Sequence, residues 1–408
     1  MLEVNGKIEQ QLNGIKLASS LTAEDRILAI GSKLEQTGNV ERQVAKDIVN
    51  NWLQTMCKID ASDIDIGGYG CNGKVWYRIH GDKKPYPESS GLTYDQTDYI
   101  LLNLLSERQI EHLRKNQSID FSYSIDSGQD EPQRFRATMY ADLDHLAMNM
   151  RKIDNNIRPF KSLNLHPEVA KSLSLNYLKY GLTLVTGITG SGKSSTLDTI
   201  IDANNRTANG HIVIISSPVE LVHEPKKCIV RHREVGRDVK SFRDGAVQSL
   251  RQDPDIIMIG ELRDEETIQT ALEITDSGHK TFSTLHTASA TESIDRIIGE
   301  INVNQQDRVR NRLADVLTCV ISQKLLPATN GKRVLAKEVL LATTSVKAAI
   351  RNNNLNEIYQ MLTEGSAVGM QTLEQDLKRL YTEGQITIEN ALGFANNKVR
   401  MRELLNLE

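Results

Sequence analysis

The sequence lacks closely spaced cysteines. Its four cysteines, Cys57, Cys71, Cys228 and Cys319, stand far apart and form no Cys-x-x-Cys pair. Zinc knuckles and disulfide-stapled secreted domains need such a pair or a much higher cysteine density. We therefore expect reduced, partly buried thiols and neither a zinc site nor a disulfide framework.

Long apolar runs are also missing. No stretch approaches the roughly 18 consecutive apolar residues of a membrane-spanning helix. The first twenty residues carry Glu3, Lys7, Glu9 and Lys16, which interrupt the apolar core that a signal peptide needs. The sequence therefore predicts a cytosolic protein whose association with a membrane is indirect.

The chain has no excess of basic residues. Its 49 lysines and arginines are balanced by 53 aspartates and glutamates, which gives a net charge of -4 without a basic tract. Domains that bind nucleic acids usually cluster positive charge on one face. Direct nucleic-acid binding is therefore not expected, and a protein partner is.

Hydrophobic periodicity predicts several segments in the 408 residues. Residues 1–55 carry apolar residues near helical spacing, which predicts a helical N-terminal extension. Residues 56–155 alternate short strands around a helical stretch, which predicts a small mixed α/β domain. Residues 156–167 have a proline near each end and little apolar content, and we interpret them as a linker.

Residues 168–408 alternate strands and helices. This alternation predicts an α/β motor domain with a largely parallel sheet in three layers. Beyond about Gln305 the pattern becomes mostly helical, with a helix expected from Asp307 to Val320 and a strand near Val334–Leu341.

A glycine-rich stretch, Gly187-Ile-Thr-Gly-Ser-Gly192-Lys193-Ser194, matches the phosphate-binding loop of P-loop enzymes. It follows an apolar strand and precedes a helix, where backbone N–H groups and the helix dipole favour phosphate oxygens. Lys193 is expected to reach the β and γ phosphates of ATP, and Ser194 to bind Mg²⁺. The predicted nucleotide-binding residues of the loop are Gly187, Thr189, Gly190, Ser191, Gly192, Lys193, Ser194 and Ser195.

Two carboxylates follow predicted strands. Glu261 ends an apolar strand, at the edge where parallel sheets bind ligands, and is expected to face Mg²⁺ or the attacking water. Gly260 occupies the position where many P-loop enzymes carry an aspartate, and a solvated Glu261 beside Arg263 is the alternative. Glu220 lies just beyond the apolar run Ile212–Ile215, which makes it the candidate general base for the lytic water.

Two histidines and three arginines complete the candidate site. His279 and His286 flank a short predicted strand, and His286, at its carboxyl end, is the better candidate for sensing the γ-phosphate. Either histidine could instead cap a helix or fill the core. Arg134, Arg136 and Arg151 become candidates for stabilising the developing anion only if subunits form a ring, where an arginine supplied in trans contributes roughly 10³ to 10⁵ in rate.

Taken together, these motifs resemble the type II/type IV secretion ATPase superfamily, and most closely its PilT-type pilus retraction ATPases, over roughly residues 56 to 400. The phosphate loop, the stretch Gly260-Glu261-Leu-Arg263-Asp264 and the block from Gly278 to Thr287 look like that family's Walker A, Walker B and histidine boxes. Finer matches are Pro218–Glu224, Arg233–Asp238, Arg251–Asp255 and Gly369–Leu373.

The resemblance implies a homohexameric ring of RecA-like motor domains, each preceded by a PAS-like domain, with Mg-ATP bound between the two domains. It implies a motor that retracts a type IV pilus and docks on an inner-membrane platform protein at the cytosolic face. Ser194 and Glu261 would hold the metal. By this resemblance, the catalytic residues would be Glu220, Glu261, His286, Arg136 and Arg151. Arg134 and His279 would make further contacts with the nucleotide.

Three departures from the family pattern keep alternatives open. Ser216 and Ser217 replace the usual Glu-Asp, no Gln-Arg-Gly stretch lies between Ala141 and Met150, and residues 345–352 keep only part of a retraction-type motif. The alternatives are an ATPase of a related secretion, conjugation or pilus-assembly machine, and a ring subunit that binds nucleotide without hydrolysis. Pilus-assembly and type II secretion ATPases usually carry a large extra N-terminal domain, which 408 residues do not accommodate.

Overall fold

The computed structural model describes residues 12, 14–86, 91–126, 132–154 and 156–407. The chain divides into two compact units. Unit 1 comprises residues 1–155 with two later segments, 217–222 and 234–238, and unit 2 comprises residues 156–216, 223–233 and 239–408. Residues 1–11 and 13 of the predicted N-terminal extension lie outside the described residues.

Unit 1 is built on an antiparallel sheet of six strands. The strands are β1 (Asp63–Gly67), β2 (Trp76–Ile79), β3 (Asp82–Pro85), β4 (Ser118–Ile125), β5 (Gln133–Asp142) and β6 (His145–Lys152). Their spatial order is β3-β2-β1-β6-β5-β4. The helices span Ala23–Glu35, Asn39–Lys58, Gly68–Cys71, Tyr94–Leu102 and Glu107–Asn116.

Alternation along β5 gives this sheet two different faces. Phe135, Ala137 and Met139 are fully buried. Arg134 and Arg136, which alternate with them along the strand, are only half-buried. Successive side chains of a strand point to opposite faces. One face of β5 therefore packs in the core, and the other carries arginines.

The N-terminal helices share the core of this sheet. Ile30 of the helix Ala23–Glu35 and Leu53 of the helix Asn39–Lys58 belong to the same buried apolar cluster as Phe135. The second helix also runs across residue 55, where the sequence analysis placed a boundary. Helical periodicity shows that these helices have an apolar face, but it does not show which surface covers that face.

Unit 2 is built on a sheet of seven strands. They are β7 (Gly181–Thr186), β8 (Gly210–Ser216), β9 (Cys228–Glu234), β10 (Ile256–Ile259), β11 (Lys280–Leu285), β12 (Leu317–Pro327) and β13 (Arg333–Leu341). Their order is β13-β12-β7-β11-β10-β8-β9. The five strands from β12 to β8 run parallel, and β13 pairs antiparallel with β12. The largely parallel α/β sheet is confirmed.

Helices pack around this sheet, and the last of them ends at Leu404. They span Pro167–Leu173, Lys193–Thr207, Phe242–Ser249, Glu265–Asp276, Ala290–Gly299, Gln306–Val316, Thr344–Arg351, Leu355–Glu364, Leu373–Thr382, Ile388–Phe394 and Lys398–Leu404. Across the described part of the chain, no helix combines the length and apolarity needed to cross a membrane. The four cysteines are free thiols, as predicted.

The helix predicted from Asp307 to Val320 is too long. The observed helix ends at Val316, and β12 begins at the next residue. β12 pairs with β7 on one side and with β13 on the other, and its β-branched residues Val320 and Ile321 suit a strand between two neighbours. The start of this strand was not predicted, because the helical pattern of the preceding residues was extended past Val316.

Lys280 places a charge in the interior of unit 2. The residue opens β11 and is fully buried. Its Nζ donates to the carbonyl oxygens of Ser172, at 2.7 Å, and Leu178, at 3.1 Å. Burial disfavours the ammonium form and lowers the pKa of Lys280 to about 8.

We expect this buried lysine to make stability depend on pH. An unfolded lysine keeps its proton up to about pH 10.4, whereas the folded one releases it near its pKa of about 8. The unfolded state therefore binds more protons in this window, so the free energy of unfolding rises with pH by on the order of 3 kcal/mol. Urea unfolding followed by circular dichroism should show this rise in the wild type and not in Lys280→Met; identical pH profiles would contradict it.

Candidate nucleotide site and the segment that carries Glu220

The phosphate loop leaves the interior of the unit 2 sheet. All six residues of β7 are buried, and the helix Lys193–Thr207 begins where the loop ends. Gly192 precedes that helix at a φ of 88°, a left-handed conformation that favours glycine. The first N–H groups of a helix are a ready site for an anion. Within the loop, Ser191 is buried, whereas Thr189, Gly190, Ser194 and Ser195 are exposed.

Gly187 and Gln323 fix the start of the loop. A Cβ at Gly187 would lie 2.4 Å from the Gln323 carbonyl oxygen and 2.4 Å from Ser191 Oγ, so no residue with a side chain fits there. The buried side chain of Gln323 donates from Nε2 to the Ser191 carbonyl oxygen at 2.8 Å. Gln323 was not predicted from the sequence, because its contact with the phosphate loop requires β12 to lie beside β7.

Lys193, His286 and Glu261 form a chain of contacts at the carboxyl end of the sheet. Lys193 Nζ donates to the Gly187 carbonyl oxygen at 2.7 Å and lies 3.4 Å from His286 Nδ1. His286 Nε2 lies 3.3 Å from Glu261 Oε1. Parallel pairing explains this grouping, since the ends of β7, β11 and β10 meet at one edge.

The charges around His286 favour its neutral form. Burial lowers the pKa of His286 and the Lys193 ammonium lowers it further, whereas the Glu261 carboxylate opposes the shift. In the neutral tautomer that fits these contacts, Nδ1 accepts from Lys193 and the protonated Nε2 faces Glu261. The cluster thus contains the Lys193 ammonium, a neutral imidazole and the Glu261 carboxylate.

Steric crowding explains why the acidic residue is Glu261 rather than the residue before it. A Cβ at Gly260 would lie 3.1 Å from the Ile215 carbonyl oxygen and 3.1 Å from Phe242 Cε1. These distances leave little room for an aspartate. Glu261 Oε2 also accepts from Arg263 Nε at 2.7 Å, so the carboxylate is held from two sides rather than freely solvated.

His279 lies at the other end of β11. Its Nδ1 is 3.0 Å from Ser277 Oγ and 3.1 Å from the Ile274 carbonyl oxygen. The six residues of β11 span about 20 Å, so within one chain His279 is remote from the phosphate loop. The structure does not bring this predicted nucleotide contact into the site; the imidazole instead meets a carbonyl in the last turn of the helix Glu265–Asp276.

Glu220 lies in the segment 217–222, where two arginines of β5 contact it within unit 1. Arg136 Nη1 is 3.3 Å from Glu220 Oε1, and Arg136 Nη2 is 3.5 Å from Asp120 Oδ2. Arg134 instead contacts backbone, because its Nε donates to the Glu220 carbonyl oxygen at 3.1 Å and its Nη2 to the Val219 carbonyl oxygen at 2.8 Å. The candidate base is therefore paired with a guanidinium in this structure.

The three predicted arginines share one face of the unit 1 sheet. Arg134 and Arg136 are two residues apart on β5, and Arg136 lies directly opposite Arg151 on β6. Arg151 is largely exposed, and its Nε donates to the buried Asp63 carboxylate at 2.8 Å. Sequence spacing predicted the first pair, whereas the place of Arg151 beside them follows from strand register.

A family of proteins described as "Type II/IV secretion system protein" matches residues 38–400. The chain belongs to this family. It is 37% identical over 300 residues to the type IV pilus retraction ATPase PilT of Pseudomonas aeruginosa, which covers 74% of this chain and 85% of that protein. It is 35% identical over 327 residues to a twitching motility protein of Neisseria gonorrhoeae, with coverage of 79% and 85%.

Solved structures agree with the assignment to the secretion ATPase family. The crystal structure of the pilus retraction motor PilT with bound ADP aligns with a TM-score of 0.76 at 36% identity, over 87% of this chain and 99% of that one. The ATPase DotB of Legionella pneumophila shares the fold, with a TM-score of 0.74 at 24% identity over 85% of this chain and 94% of that one. The chain is an ATP-hydrolysing enzyme of the secretion ATPase family.

The departures from the secretion ATPase pattern have defined places in the structure. Ser216 is the last residue of β8, and Ser217 begins the segment that carries Glu220. The partial retraction-type motif forms the helix Thr344–Arg351, whose Arg351 pairs with Asp315. The shortened motif is therefore ordered and contacts its surroundings.

The contacts of His286 predict opposite effects of two substitutions on its pKa. Lys193→Met should raise the pKa of His286, because the ammonium lowers it. Glu261→Gln should lower that pKa further, because a carboxylate stabilises the imidazolium. Both shifts can be measured by NMR titration of the nucleotide-free protein, with the exposed His112 as internal control. An unchanged His286 titration in both variants would show that the contact chain does not form.

Proposed function

We propose that this chain is the motor ATPase that powers retraction of a type IV pilus, hydrolysing ATP to ADP and phosphate. The observation that carries the proposal is the contact chain from Lys193 through His286 to Glu261, beside a phosphate loop, in a chain similar to PilT over most of its length. A phosphate-binding cation and a carboxylate at one edge of a parallel sheet suit phosphoryl transfer.

The phosphate loop takes the triphosphate in this proposal. Lys193 leaves its two present carbonyl partners to bind the β and γ phosphates, and His286 senses the γ-phosphate through its contact with Lys193. Ser194 and Glu261 would hold Mg²⁺, Glu261 directly or through a water, since hydroxyl and carboxylate oxygens are the ligands this ion prefers. The metal would neutralise charge on the phosphate oxygens.

Glu220 acts as the general base in the same proposal. It accepts the proton of the water that attacks the γ-phosphorus, so its carboxylate must first be free of Arg136. An exposed ion pair of this kind is worth only about 0 to 1 kcal/mol, and exchanging it is therefore inexpensive. Once released, Arg136 can meet the developing negative charge on a γ-phosphate bound by a neighbouring subunit, with Arg151 opposite it on the same sheet face.

The assembly is proposed from the family. We infer a homohexamer in which residues 56–155 form the PAS-like domain and residues 168–408 form the motor domain, with the ring docked on an inner-membrane platform protein at the cytosolic face. The arginines would act across subunit interfaces, and contact with the membrane would be indirect. No direct role for nucleic acid is proposed.

Ser216 and Ser217 keep one alternative in view. The secretion ATPases usually carry two carboxylates there, and their loss removes negative charge close to the candidate base. A ring subunit that binds nucleotide without hydrolysing it would fit this loss. The retained Glu220, Glu261, His286 and Lys193 favour hydrolysis, since a ring that only binds nucleotide has no need of all four.

Glu220→Gln should abolish turnover and preserve nucleotide binding. The amide cannot accept the proton, and loss of a general base typically costs about 10² to 10⁴ in rate. Glu224→Gln, an exposed change four residues later, is the matched control and should leave the rate unchanged. Phosphate release measures turnover, and a fluorescent ATP analogue measures binding; an active Glu220→Gln enzyme would remove Glu220 from the mechanism.

Arg136→Ala should impair hydrolysis far more than binding, because its charge is needed where negative charge develops. The expected loss in kcat is about 10³-fold, the lower end of what an arginine acting in trans supplies. Steady-state kinetics of the assembled protein test this. A protein that sediments as a monomer and has full ATPase activity would exclude any role for a neighbouring subunit's arginine.

A further inference from the structure

Side chains of unit 1 hold the segment 217–222 through both the carbonyl and the N–H groups of its backbone. Arg134 reaches two successive carbonyl oxygens, those of Val219 and Glu220, at 2.8 and 3.1 Å. A guanidinium presents several N–H groups in a rigid plane, so Nε and Nη2 can each donate to a separate carbonyl in a fixed geometry that the single nitrogen of a lysine does not reproduce. Arg134 is thus engaged with the backbone that carries the candidate base.

Glu234 binds the same backbone segment through the N–H group of Val219. Its side chain is buried, with 2% of the residue exposed, and its Oε2 accepts from the Val219 N–H at 3.0 Å. Its Oε1 accepts from the Ser122 N–H of β4 at 3.3 Å. The carboxylate therefore connects the segment to the strand next to β5, and both of its oxygens have partners.

The two charges also support one another. Burial lowers the pKa of Arg134, and the Glu234 carboxylate opposes that shift. A buried carboxylate is tolerated when hydrogen bonds and an opposite charge compensate its desolvation. Arg134 differs in this respect from Arg136 and Arg151, whose partners are the side-chain carboxylates of Glu220 and Asp63.

We propose that Arg134 and Glu234 are positioning residues that clamp the backbone at Val219 and Glu220 of their own chain, and that Arg134 does not contact the γ-phosphate. The inference rests on the proposed role of Glu220 as general base. A base must be held close to the water it deprotonates, and a displacement of about 1 Å can cost about 10²-fold in rate. The clamp holds the backbone rather than the Glu220 carboxylate, which contacts Arg136.

The affinity for ATP relative to ADP separates a clamp from a phosphate contact. Arg134→Lys and Arg134→Ala should lower kcat, by about 10²-fold for alanine, without changing the ratio of affinities for a non-hydrolysable ATP analogue and ADP. Arg136→Ala is the contrasting variant, and it should weaken the analogue more than ADP. Arg114→Ala, which removes a half-buried arginine of the same unit that pairs with Glu111, should change neither quantity.

Hydrogen exchange tests the clamp directly in the full-length protein. In Arg134→Lys and Glu234→Gln, amide exchange of the peptide that contains Val219 should become faster, while exchange in β5 stays as in the wild type. A weaker analogue affinity with unchanged ADP affinity in the Arg134 variants, or unchanged exchange in both clamp variants, would overturn the proposal. An inactive wild type would instead overturn the function of Glu220 on which it rests.

Discussion

The parallel pairing of β7, β11 and β10 is the constraint on which the nucleotide site depends. The phosphate loop, His286 and Glu261 come from three separate parts of the chain, and only parallel strands in register bring their ends to one edge. The edge is crowded as well as aligned, since Gly187 and Gly260 lie where a side chain would meet neighbouring atoms. The sheet therefore sets the positions of Lys193 and Glu261, and what the two side chains can do together depends on those positions.

A second polar system surrounds Glu220 in unit 1 and separates two tasks. Arg134 and Glu234 bind backbone groups, which fixes where Glu220 lies. Arg136 binds the carboxylate itself and is partly exposed, so this contact can be exchanged at little cost. Three arginines on one sheet face thus differ in use, and the difference follows from burial and from whether the partner is a carbonyl or a carboxylate.

The sequence was sufficient for the features that local pattern determines. The phosphate loop, the parallel sheet and the strand before Glu261 all follow from motifs and from alternation of elements. It was insufficient where the outcome depends on neighbours far away in the chain: β12 replaced the end of a predicted helix, and Gln323 and Glu234 act through contacts that only strand order or packing creates. His279 lies before β11, as the sequence predicted, and its role as a nucleotide contact stays a prediction.

Phosphate release by the purified wild-type protein, with and without Mg²⁺ and under conditions where rings assemble, is the most direct test of this account. We predict turnover of ATP that stops when Mg²⁺ is chelated. Rings that bind ATP and release no phosphate in the presence of Mg²⁺ would contradict the motor assignment and favour a subunit that only binds nucleotide.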